Sequence, residues 1–337
     1  APVMLRQSTP ADEAPTMSRP GHWHPPSRRT RGVALLTMLL VTALVALLAT
    51  TLLTQQARLL SLAGQVDRYS TRKALVLGEE ARFRAELRAD LTASEAVDGV
   101  MDGWRTAQER TQGPGTLYRR SRALDALINV NNLTSPAALE RFGRLLSQLE
   151  LDPQLASQVA DWVDSDETPR AGGAEDGYYW DQTPPRRAGN TPFPTETEIP
   201  EGTRLTRTQW LRLRPFVTAL PPAFERINVN LAPPEVLATL APGLDPKQVW
   251  PLAQPSPPWP DVGAVLGSQA AFAPEEGVLA TRSLFFESLI LVEAFVGAFT
   301  LRSTLYRDPN TGQVKVMSRD FSQSFASWPS PSTDKER

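Results

Sequence analysis

The segment DWVDSDETPRAGGAEDGYYWD, residues 161–181, is rich in carboxylates that could hold a cation. Its one basic residue is Arg170, and its acids are Asp161, Asp164, Asp166, Glu167, Glu175, Asp176 and Asp181. Carboxylates this close repel one another unless water solvates them or a hard cation bridges them. Calcium takes roughly six to eight oxygen ligands, often from flexible loops. The spacing is not that of an EF-hand, so the segment indicates either a solvated acidic loop or a calcium site of another kind.

The residue types that support most enzyme sites are missing from the chain. Cysteine is absent, which excludes disulfides, thiol nucleophiles and thiolate metal sites. The two histidines, His22 and His24, both precede an apolar segment that begins at residue 33. If the residues before that segment are removed, imidazole acid–base chemistry and most zinc sites are excluded as well. A carboxylate pair could catalyse hydrolysis in principle, but no other group supports it, and no enzyme is expected.

A short motif occurs twice, as INVNNLTSP at residues 128–136 and as INVNLAPPE at residues 227–235. In each copy asparagines precede a proline typical of a helix start, which predicts two related helical units. The second copy, together with Gly243-Leu244-Asp245, is similar to a helix-hairpin-helix, a motif that grips DNA phosphate through backbone amides. Such a hairpin usually has two glycines, whereas this one has a single glycine followed by a carboxylate. A structural role is favoured, and a membrane-tethered DNA-binding protein is the alternative function.

The charge of the chain disfavours nucleic acid as a partner. The net charge is -2, which gives no basic field around the molecule. Residues 1–32 contain five arginines and two acids, so the remainder carries 30 basic and 35 acidic residues. That remainder would repel phosphate.

Residues 33–53 form an uncharged apolar segment of about 21 residues. At 1.5 Å per residue, a helix of this length spans roughly 30 Å, the hydrocarbon thickness of a bilayer. Arginines at positions 19, 28, 29 and 31 place the N-terminus in the cytoplasm by the positive-inside rule. The segment is too long for the apolar core of a conventional signal peptide. It is therefore a plain anchor or an anchor that is processed at its front edge.

The front edge of the apolar segment favours processing. Arg31-Gly32 abuts it directly, which resembles a type IV prepilin signal, where the leader is cut after the glycine and the apolar helix is retained. The cut would fall between Gly32 and Val33, and the new terminus would be N-methylated Val33, although phenylalanine is more usual there. Most pilin-like proteins carry glutamate at the fifth mature position, which is Thr37 here. A subunit without that acid suits a fibre tip, since no amine above it would neutralise a buried carboxylate.

Apolar residues recur at helical spacing after the apolar segment. This periodicity predicts that the helix continues to about Asp90 as an amphipathic helix. Its predicted stripe comprises Leu59, Leu62, Val66, Tyr69, Leu75, Leu77, Phe83, Leu87 and Leu91. Further helices are predicted to start at Ser135-Pro136, at Asp152-Pro153 and near residues 232–234, the last of them ending at Gly243. Strands are predicted over residues 283–292, 297–307 and 313–319. These elements make an α+β protein, with a long N-terminal helix, a helical middle and a terminal antiparallel sheet.

With these features in order, the sequence resembles the GspK family, the large minor pseudopilins of type II secretion. The resemblance rests on RGVALLTMLL, ALINVNNL, DWVDSDETPRAGGAEDGYYW, INVNLAPPEVLATL and LYRDPNTGQVKVMSR. It implies a pilin-like core of long helix plus antiparallel sheet, with a large inserted α-helical domain. It also implies calcium binding in the inserted domain, with Asp164, Asp166, Glu175 and Asp176 carried over as candidate ligands.

The resemblance further implies a place at the pseudopilus tip, where the subunit helps to initiate assembly and protein export. Expected partners are other minor pseudopilins, the major pseudopilin below, the prepilin peptidase and the inner membrane, with most of the chain in the periplasm. The predicted layout is a cleaved leader (1–32), a transmembrane part (33–53), an amphipathic continuation (54–104), a first strand region (105–120), an inserted helical domain (121–280), C-terminal strands (281–320) and a flexible tail (321–337).

Overall fold

The described part of the chain begins in the N-terminal helix and ends just after the last strand. The computed structural model describes residues 28–93, 97–203, 205–222, 224–253, 255–295 and 297–322. The expected leader up to residue 27 and the expected tail from residue 323 lie outside the described residues. Two compact units are distinguished, one that ends at Val66 and one that begins at Asp67.

Helix α1, Arg28–Ala93, contains the whole apolar segment. In the first unit the apolar side chains are exposed along the segment, with Leu36 at 71 %. Within the described ranges, this is the one helix long and apolar enough to cross a bilayer. The hydroxyls of Thr37, Thr42 and Thr50 donate to the backbone carbonyl three residues earlier, at 2.8 to 2.9 Å. Their polar groups are therefore satisfied within the helix, as a lipid environment requires.

In the second unit, α1 buries one face against the sheet and the helices. Val76, Phe83 and Leu87 are fully buried, and their spacings of seven and four residues put them on one side of the helix. The predicted stripe is corrected here: Val76 is the buried residue, and Leu77 and Leu75 flank it and are less buried. The more N-terminal members of the predicted stripe are exposed, namely Leu59, Leu62, Val66 and Tyr69.

The main sheet is antiparallel. The strands are β1 (Gln108–Gln112), β2 (Gly115–Ala123), β3 (Ile128–Asn129), β4 (Val217–Thr218), β5 (Ile227–Asn228), β6 (Leu279–Ala280), β7 (Phe285–Ala294), β8 (Ala298–Arg307) and β9 (Val314–Asp320). Among the described residues, β1, β2, β7, β8 and β9 form one sheet in that order, and each neighbouring pair is antiparallel. Two separate parallel ladders pair β3 with β4 and β5 with β6.

The three predicted C-terminal strands are present and begin one or two residues later than predicted. The first strand region contains two strands rather than one, because the chain reverses at Gly113, whose φ of +56° is accessible to glycine. Together with the long helix and the helices between β2 and β7, this sheet confirms the α+β fold class.

Short helices fill the chain between β2 and β7. The α-helices are α2 (Pro136–Gln148), α3 (Leu155–Val163), α4 (Asp176–Trp180), α5 (Ile199–Gly202), α6 (Arg207–Leu213), α7 (Pro234–Ala238), α8 (Pro246–Val249) and α9 (Val262–Ser268). The 3₁₀ helices are Gly103–Arg105, Val130–Asn132, Glu196–Glu198, Arg214–Phe216, Trp250–Leu252 and Ala270–Val278. Helix α2 begins at the predicted proline. Helix α3 begins later than predicted because Asp152 first forms a turn, accepting a 2.9 Å hydrogen bond from the backbone N–H of Gln154.

The first copy of the repeated motif clamps a distant backbone segment. Asn129 Oδ1 accepts from the backbone N–H groups of Asn131 at 3.2 Å and of Leu220 at 2.9 Å. The Asn131 side chain accepts from the N–H of Phe193 at 2.8 Å and donates to its carbonyl at 3.0 Å. Phe193 follows the acidic segment in the chain, so this contact joins the two ends of the stretch, residues 131–193, that contains the acids. We call this arrangement an asparagine clamp.

The second copy forms the same clamp. Asn228 Oδ1 accepts from the backbone N–H of Asn230 at 3.0 Å. The Asn230 side chain accepts from the N–H of Trp259 at 2.8 Å and donates to its carbonyl at 3.1 Å. Both asparagines of this copy are fully buried. The motif therefore directs its polar side chains to backbone within the fold.

Ion pairs join the sheet to the helical region. Glu287 on β7 pairs with Arg122 on β2 at 2.6 Å and with Arg302 on β8. Arg302 also lies 2.6 Å from Glu196, in the 3₁₀ helix that precedes α5. Burial alone would raise the pKa of Glu287, but the two guanidinium groups hold it below its ordinary value. Glu287 is thus stabilised in its charged form.

Candidate functional site

Two helix ends hold the acidic segment. Helix α3 carries Asp161 in its last turn and Asp164 as its C-cap residue, and Glu175 is the N-cap residue of α4. The chain between them turns at Gly172, whose φ is +78°. A Cβ atom on Gly173 would lie 1.8 Å from Asp161 Oδ2. The backbone therefore approaches this carboxylate as closely as only glycine permits.

Asp161 is fixed by the loop that folds back over it. Its side chain is fully buried, and Oδ2 accepts from the backbone N–H groups of Arg170 at 3.1 Å and Ala174 at 2.9 Å. Its other oxygen, Oδ1, lies 2.6 Å from Nη1 of Arg170. These bonds fix the position of the Asp161 carboxylate against the loop.

Asp161, Asp164 and Glu175 each offer a carboxylate oxygen within 4.8 Å of the others. We call these three residues the carboxylate cluster. Nη1 of Arg170 pairs with Asp164 Oδ2 as well as with Asp161. Asp164 Oδ1 and both carboxylate oxygens of Glu175 are buried and have no hydrogen-bond partner within the described residues. The cluster therefore retains oxygen atoms that a ligand could use.

Glu175 lies in a buried and negatively charged environment. The residue is 5 % exposed. Burial, followed by the charges of Asp161 and Asp164, raises the pKa of Glu175 to about 7. A nearby cation would stabilise the ionised form instead.

Two of the four predicted ligands, Asp164 and Glu175, belong to the carboxylate cluster. The other two lie in the same segment and hold local backbone. Asp166 Oδ1 accepts from the N–H of residue 168 at 2.8 Å, and Asp176 Oδ1 accepts from the N–H of residue 188, also at 2.8 Å. Both add to the negative field that raises the pKa of Glu175.

Asp161 is the cluster member that the family resemblance did not carry over as a ligand. A signal for it was present in the sequence, because residues three apart on a helix share a face and Asp161 precedes Asp164 by three. The signal was incomplete, since only the folded loop brings Glu175 back against that face.

Aromatic side chains of the acidic segment pack against each other. Trp162 and Tyr179 meet edge to face, with ring centroids 5.2 Å apart. The Tyr179 hydroxyl donates to the carbonyl of Gly202 at 2.5 Å. Because Trp162 follows Asp161 directly, this packing also restrains the end of α3.

A second group of acids, Asp90, Asp98 and Asp102, is already engaged by an arginine and by neutral hydrogen-bond donors. Both oxygens of Asp98 lie 2.6 to 2.7 Å from Nη2 of Arg307, and Asp90 lies 3.0 Å from Nη1. Asp102 Oδ2 accepts from a backbone amide and an indole N–H at 2.9 and 3.0 Å. Each of these three carboxylates thus has at least one partner within the fold.

The candidate helix-hairpin-helix uses its polar groups internally. Gly243 adopts a φ of +75°. Asp245 Oδ1 accepts from the backbone N–H of Lys247 at 2.7 Å, and the Asp245 N–H donates to Gln248 Oε1 at 2.9 Å. These amides, which would bind phosphate in a DNA-binding hairpin, are therefore capped by the motif itself.

The predicted processing point lies on open helix surface. A Cβ atom on Gly32 would meet no atom within 4 Å, and Val33 is 63 % exposed. The Thr37 hydroxyl donates to the carbonyl of Ala34 at 2.9 Å.

Comparisons with known proteins agree on one family. The family model described as Type II secretion system (T2SS), protein K matches residues 126–222, which contain the first asparagine clamp and the carboxylate cluster. Type II secretion system protein K of Klebsiella pneumoniae is 30% identical over 229 residues, covering 64% of this chain and 70% of the relative. The protein of the same name from Pseudomonas aeruginosa is 32% identical over 240 residues, covering 66% of this chain and 71% of the relative.

A solved structure shares the fold. It is the crystal structure of the GspK-GspI-GspJ complex from the type 2 secretion system of enterotoxigenic Escherichia coli, with a TM-score of 0.65 and 19% sequence identity, covering 77% of this chain and 98% of that chain. The comparisons give no support to the DNA-binding alternative. The chain belongs to the type II secretion system protein K family, and it is a minor pseudopilin of that export system.

Proposed function

We propose that this minor pseudopilin occupies the tip of the pseudopilus, assembles there with two other minor pseudopilins and helps to initiate the fibre and protein export. The observation that carries the proposal is the insertion of residues 124–284 between β2 and β7, which are neighbours in the sheet. A region of this size would obstruct the stacking of a further subunit above it. The similar structure from enterotoxigenic E. coli holds GspK with GspI and GspJ, which supports partners of that kind.

The proposed anchoring follows from α1. The helix crosses the inner membrane with its N-terminus in the cytoplasm, and prepilin peptidase cuts between Gly32 and Val33. The open surface around Gly32 and the uninterrupted apolar helix after it support this cut. Thr37, at the fifth mature position, satisfies its own hydroxyl within the helix. A tip subunit with no amine above it would therefore bury no unpaired charge, while its retained helix contacts the major pseudopilin below.

Processing is tested by intact mass spectrometry of the full-length chain expressed with a prepilin peptidase. The expected product begins at N-methylated Val33. A Gly32→Leu variant should retain its leader, whereas Gly78→Leu, at another helical glycine with open space around it, should be cut normally. A wild-type chain that keeps its leader would leave only a plain anchor.

Tip assembly is tested by co-purifying the full-length chain in detergent with the sister minor pseudopilins. We expect a stable complex, and we expect cells that lack this chain to assemble fewer pseudopili. Absence of association, together with normal fibre numbers in the deleted strain, would contradict a role at the tip.

We also propose that the carboxylate cluster binds calcium. The cluster fits a hard cation, since it offers oxygen donors and three of its buried oxygens, Asp164 Oδ1 and the two of Glu175, lack partners within the described residues. Asp161, Asp164 and Glu175 would hold the ion, and Asp166 and Asp176 remain candidate ligands of the same segment. The ion would neutralise the cluster and join the end of α3 to the start of α4.

Calcium binding is tested by titration calorimetry and thermal unfolding of the full-length chain in detergent. At a free calcium concentration about 100 times Kd, binding should stabilise the folded chain by about 2.7 kcal/mol. Glu175→Gln should weaken binding strongly, while Glu167→Gln, an exposed acid of the same segment, should bind as the wild type does. A wild-type chain with neither binding heat nor a calcium-dependent Tm would refute the site.

A further inference from the structure

We infer that Arg170 is a tethered counter-ion, which holds the carboxylate cluster together when calcium is not bound and is displaced when calcium binds. This inference rests on the proposed calcium site. The guanidinium Nη1 of Arg170 contacts two cluster members at once, Asp161 Oδ1 at 2.6 Å and Asp164 Oδ2. Both are carboxylate oxygens, which are the ligand atoms that calcium prefers. The guanidinium and the calcium ion therefore compete for them.

The neutralisation that Arg170 provides is partial. When all three carboxylates of the cluster are ionised, as calcium binding requires, they carry three negative charges, and one guanidinium balances one of them. The contacts show the same imbalance of charge. Arg170 pairs with Asp161 Oδ1 and Asp164 Oδ2, whereas both oxygens of Glu175 and Oδ1 of Asp164 are buried without partners in the described part of the chain. A divalent ion supplies twice the charge of the guanidinium and can also be reached by these unpartnered oxygens.

The side chain of Arg170 can leave while its backbone stays in place. The Arg170 N–H donates to Asp161 Oδ2 at 3.1 Å, and its carbonyl accepts from the N–H of Gly173 at 2.8 Å. These backbone bonds do not involve the guanidinium. The side chain is 30 % exposed, so the charged group can swing into water without crossing the core. The loop would therefore keep a similar path in both states.

The inference predicts opposite effects of Arg170 on affinity and on stability without calcium. In an Arg170→Gln variant of the full-length chain in detergent, calcium should bind about tenfold more tightly, because no charge-assisted pair has to be broken first. In EGTA the variant should have a lower Tm than the wild type, and saturating calcium should remove most of that difference. Arg170→Lys, which keeps the charge but not the fork of donors, should lie between the two.

The matched control is Arg207→Gln. Arg207 is an exposed arginine at the start of α6, outside the acidic segment, so its loss should leave both quantities unchanged. Hydrogen exchange of residues 164–175 gives a second readout: protection should persist in EGTA for the wild type, and should require calcium in Arg170→Gln.

The outcomes separate this inference from the calcium site itself. If the wild-type chain binds no calcium, the proposed site fails and the inference fails with it. If the wild-type chain binds calcium but Arg170→Gln binds equally or more weakly, the site stands and the counter-ion role of Arg170 is overturned. Tighter binding in Arg170→Gln with unchanged hydrogen exchange in EGTA would also overturn its role in holding the loop.

Discussion

Replacing Asp125 with asparagine is expected to stabilise the protein at neutral pH. Asp125 lies just after β2, and its residue is 3 % exposed. Its Oδ2 accepts from the backbone N–H groups of Leu284 at 2.6 Å and Phe285 at 3.4 Å, whereas Oδ1 is buried without a partner among the described residues. Burial raises the pKa of Asp125 to about 6, although these backbone donors and the Ser283 side chain lower it.

The sign and size of the effect follow from linkage. Because the folded-state pKa is raised, the folded protein holds the Asp125 proton more tightly than the unfolded chain, and its stability falls as pH rises from about 4 to about 6. A rise of roughly two pH units in the pKa corresponds to about 3 kcal/mol of lost stability at pH 7. The amide of the Asp125→Asn variant does not ionise and would avoid this loss. Its N–H groups could cost about 1 kcal/mol if they lack an acceptor, leaving a gain of about 2 kcal/mol.

The assay is denaturant unfolding of the full-length chain in detergent at a series of pH values. Asp125→Asn should be less stable than the wild type by up to about 1 kcal/mol near pH 4, where the amide cost is not offset, and more stable by about 2 kcal/mol at pH 7.5. Glu167→Gln serves as the control and should stay within about 0.5 kcal/mol of the wild type. An Asp125→Asn variant that is less stable at pH 7.5, or a difference that does not change with pH, would refute the reasoning.

Three further predictions concern the clamp, the glycine contact and the buried ion pairs. Asn131→Ala should lower the free energy of unfolding by about 2 to 4 kcal/mol, because three backbone groups lose the partner that Asn131 provides, namely the N–H and carbonyl of Phe193 and the carbonyl of Leu220. Asn310→Ala, at an exposed turn, should change it by less than about 0.5 kcal/mol in the same urea titration. Gly173→Ala should abolish calcium binding in calorimetry, since the new Cβ atom would displace the Asp161 carboxylate. Gly177→Ala, at a glycine with no atom near the position of the new Cβ, should bind as the wild type does, and equal binding by both variants would contradict the role of the Gly173 contact. Glu287→Gln should lower stability by about 3 to 5 kcal/mol, as measured by chemical unfolding, because it removes the buried charge that balances the partly buried guanidinium groups of Arg122 and Arg302. An unchanged midpoint would argue against a role for that network.

Local patterns predicted the elements of the fold well. The uncharged run from residue 33 and the apolar periodicity after it predicted a long helix. Prolines predicted the starts of α2 and α7, but α7 ends at Ala238 rather than at the predicted Gly243. The predicted stripe failed at Val76, because the burying face of α1 is chosen by the sheet that packs on it. Helix periodicity leaves neighbouring residues such as Leu75 and Leu77 as competing choices.

The candidate site was predictable only in part. Composition identified the segment, and the family resemblance carried over Asp164 and Glu175 as candidate ligands, but the pairing of Asp161 with Arg170 depends on the loop folding back over α3. Contacts between residues far apart in the chain leave no local signal at all. Arg307 and Asp98, for example, are 209 residues apart and form a buried ion pair that no periodicity reveals.

The asparagine clamps suggest how this region can change during evolution. Each clamp bonds to main-chain groups, so its hydrogen bonds do not require a particular side chain at the gripped position, which is phenylalanine in one copy and tryptophan in the other. The span that each clamp closes also differs greatly, with 62 residues from Asn131 to its partner and 29 from Asn230 to its partner. The clamp thus depends neither on the side chain of the residue it binds nor on the number of residues between its two ends. Loops of different length and chemistry could therefore be exchanged between the same two ends. The acidic segment is then a replaceable module, and foreign sequences could be grafted between the same two anchor points.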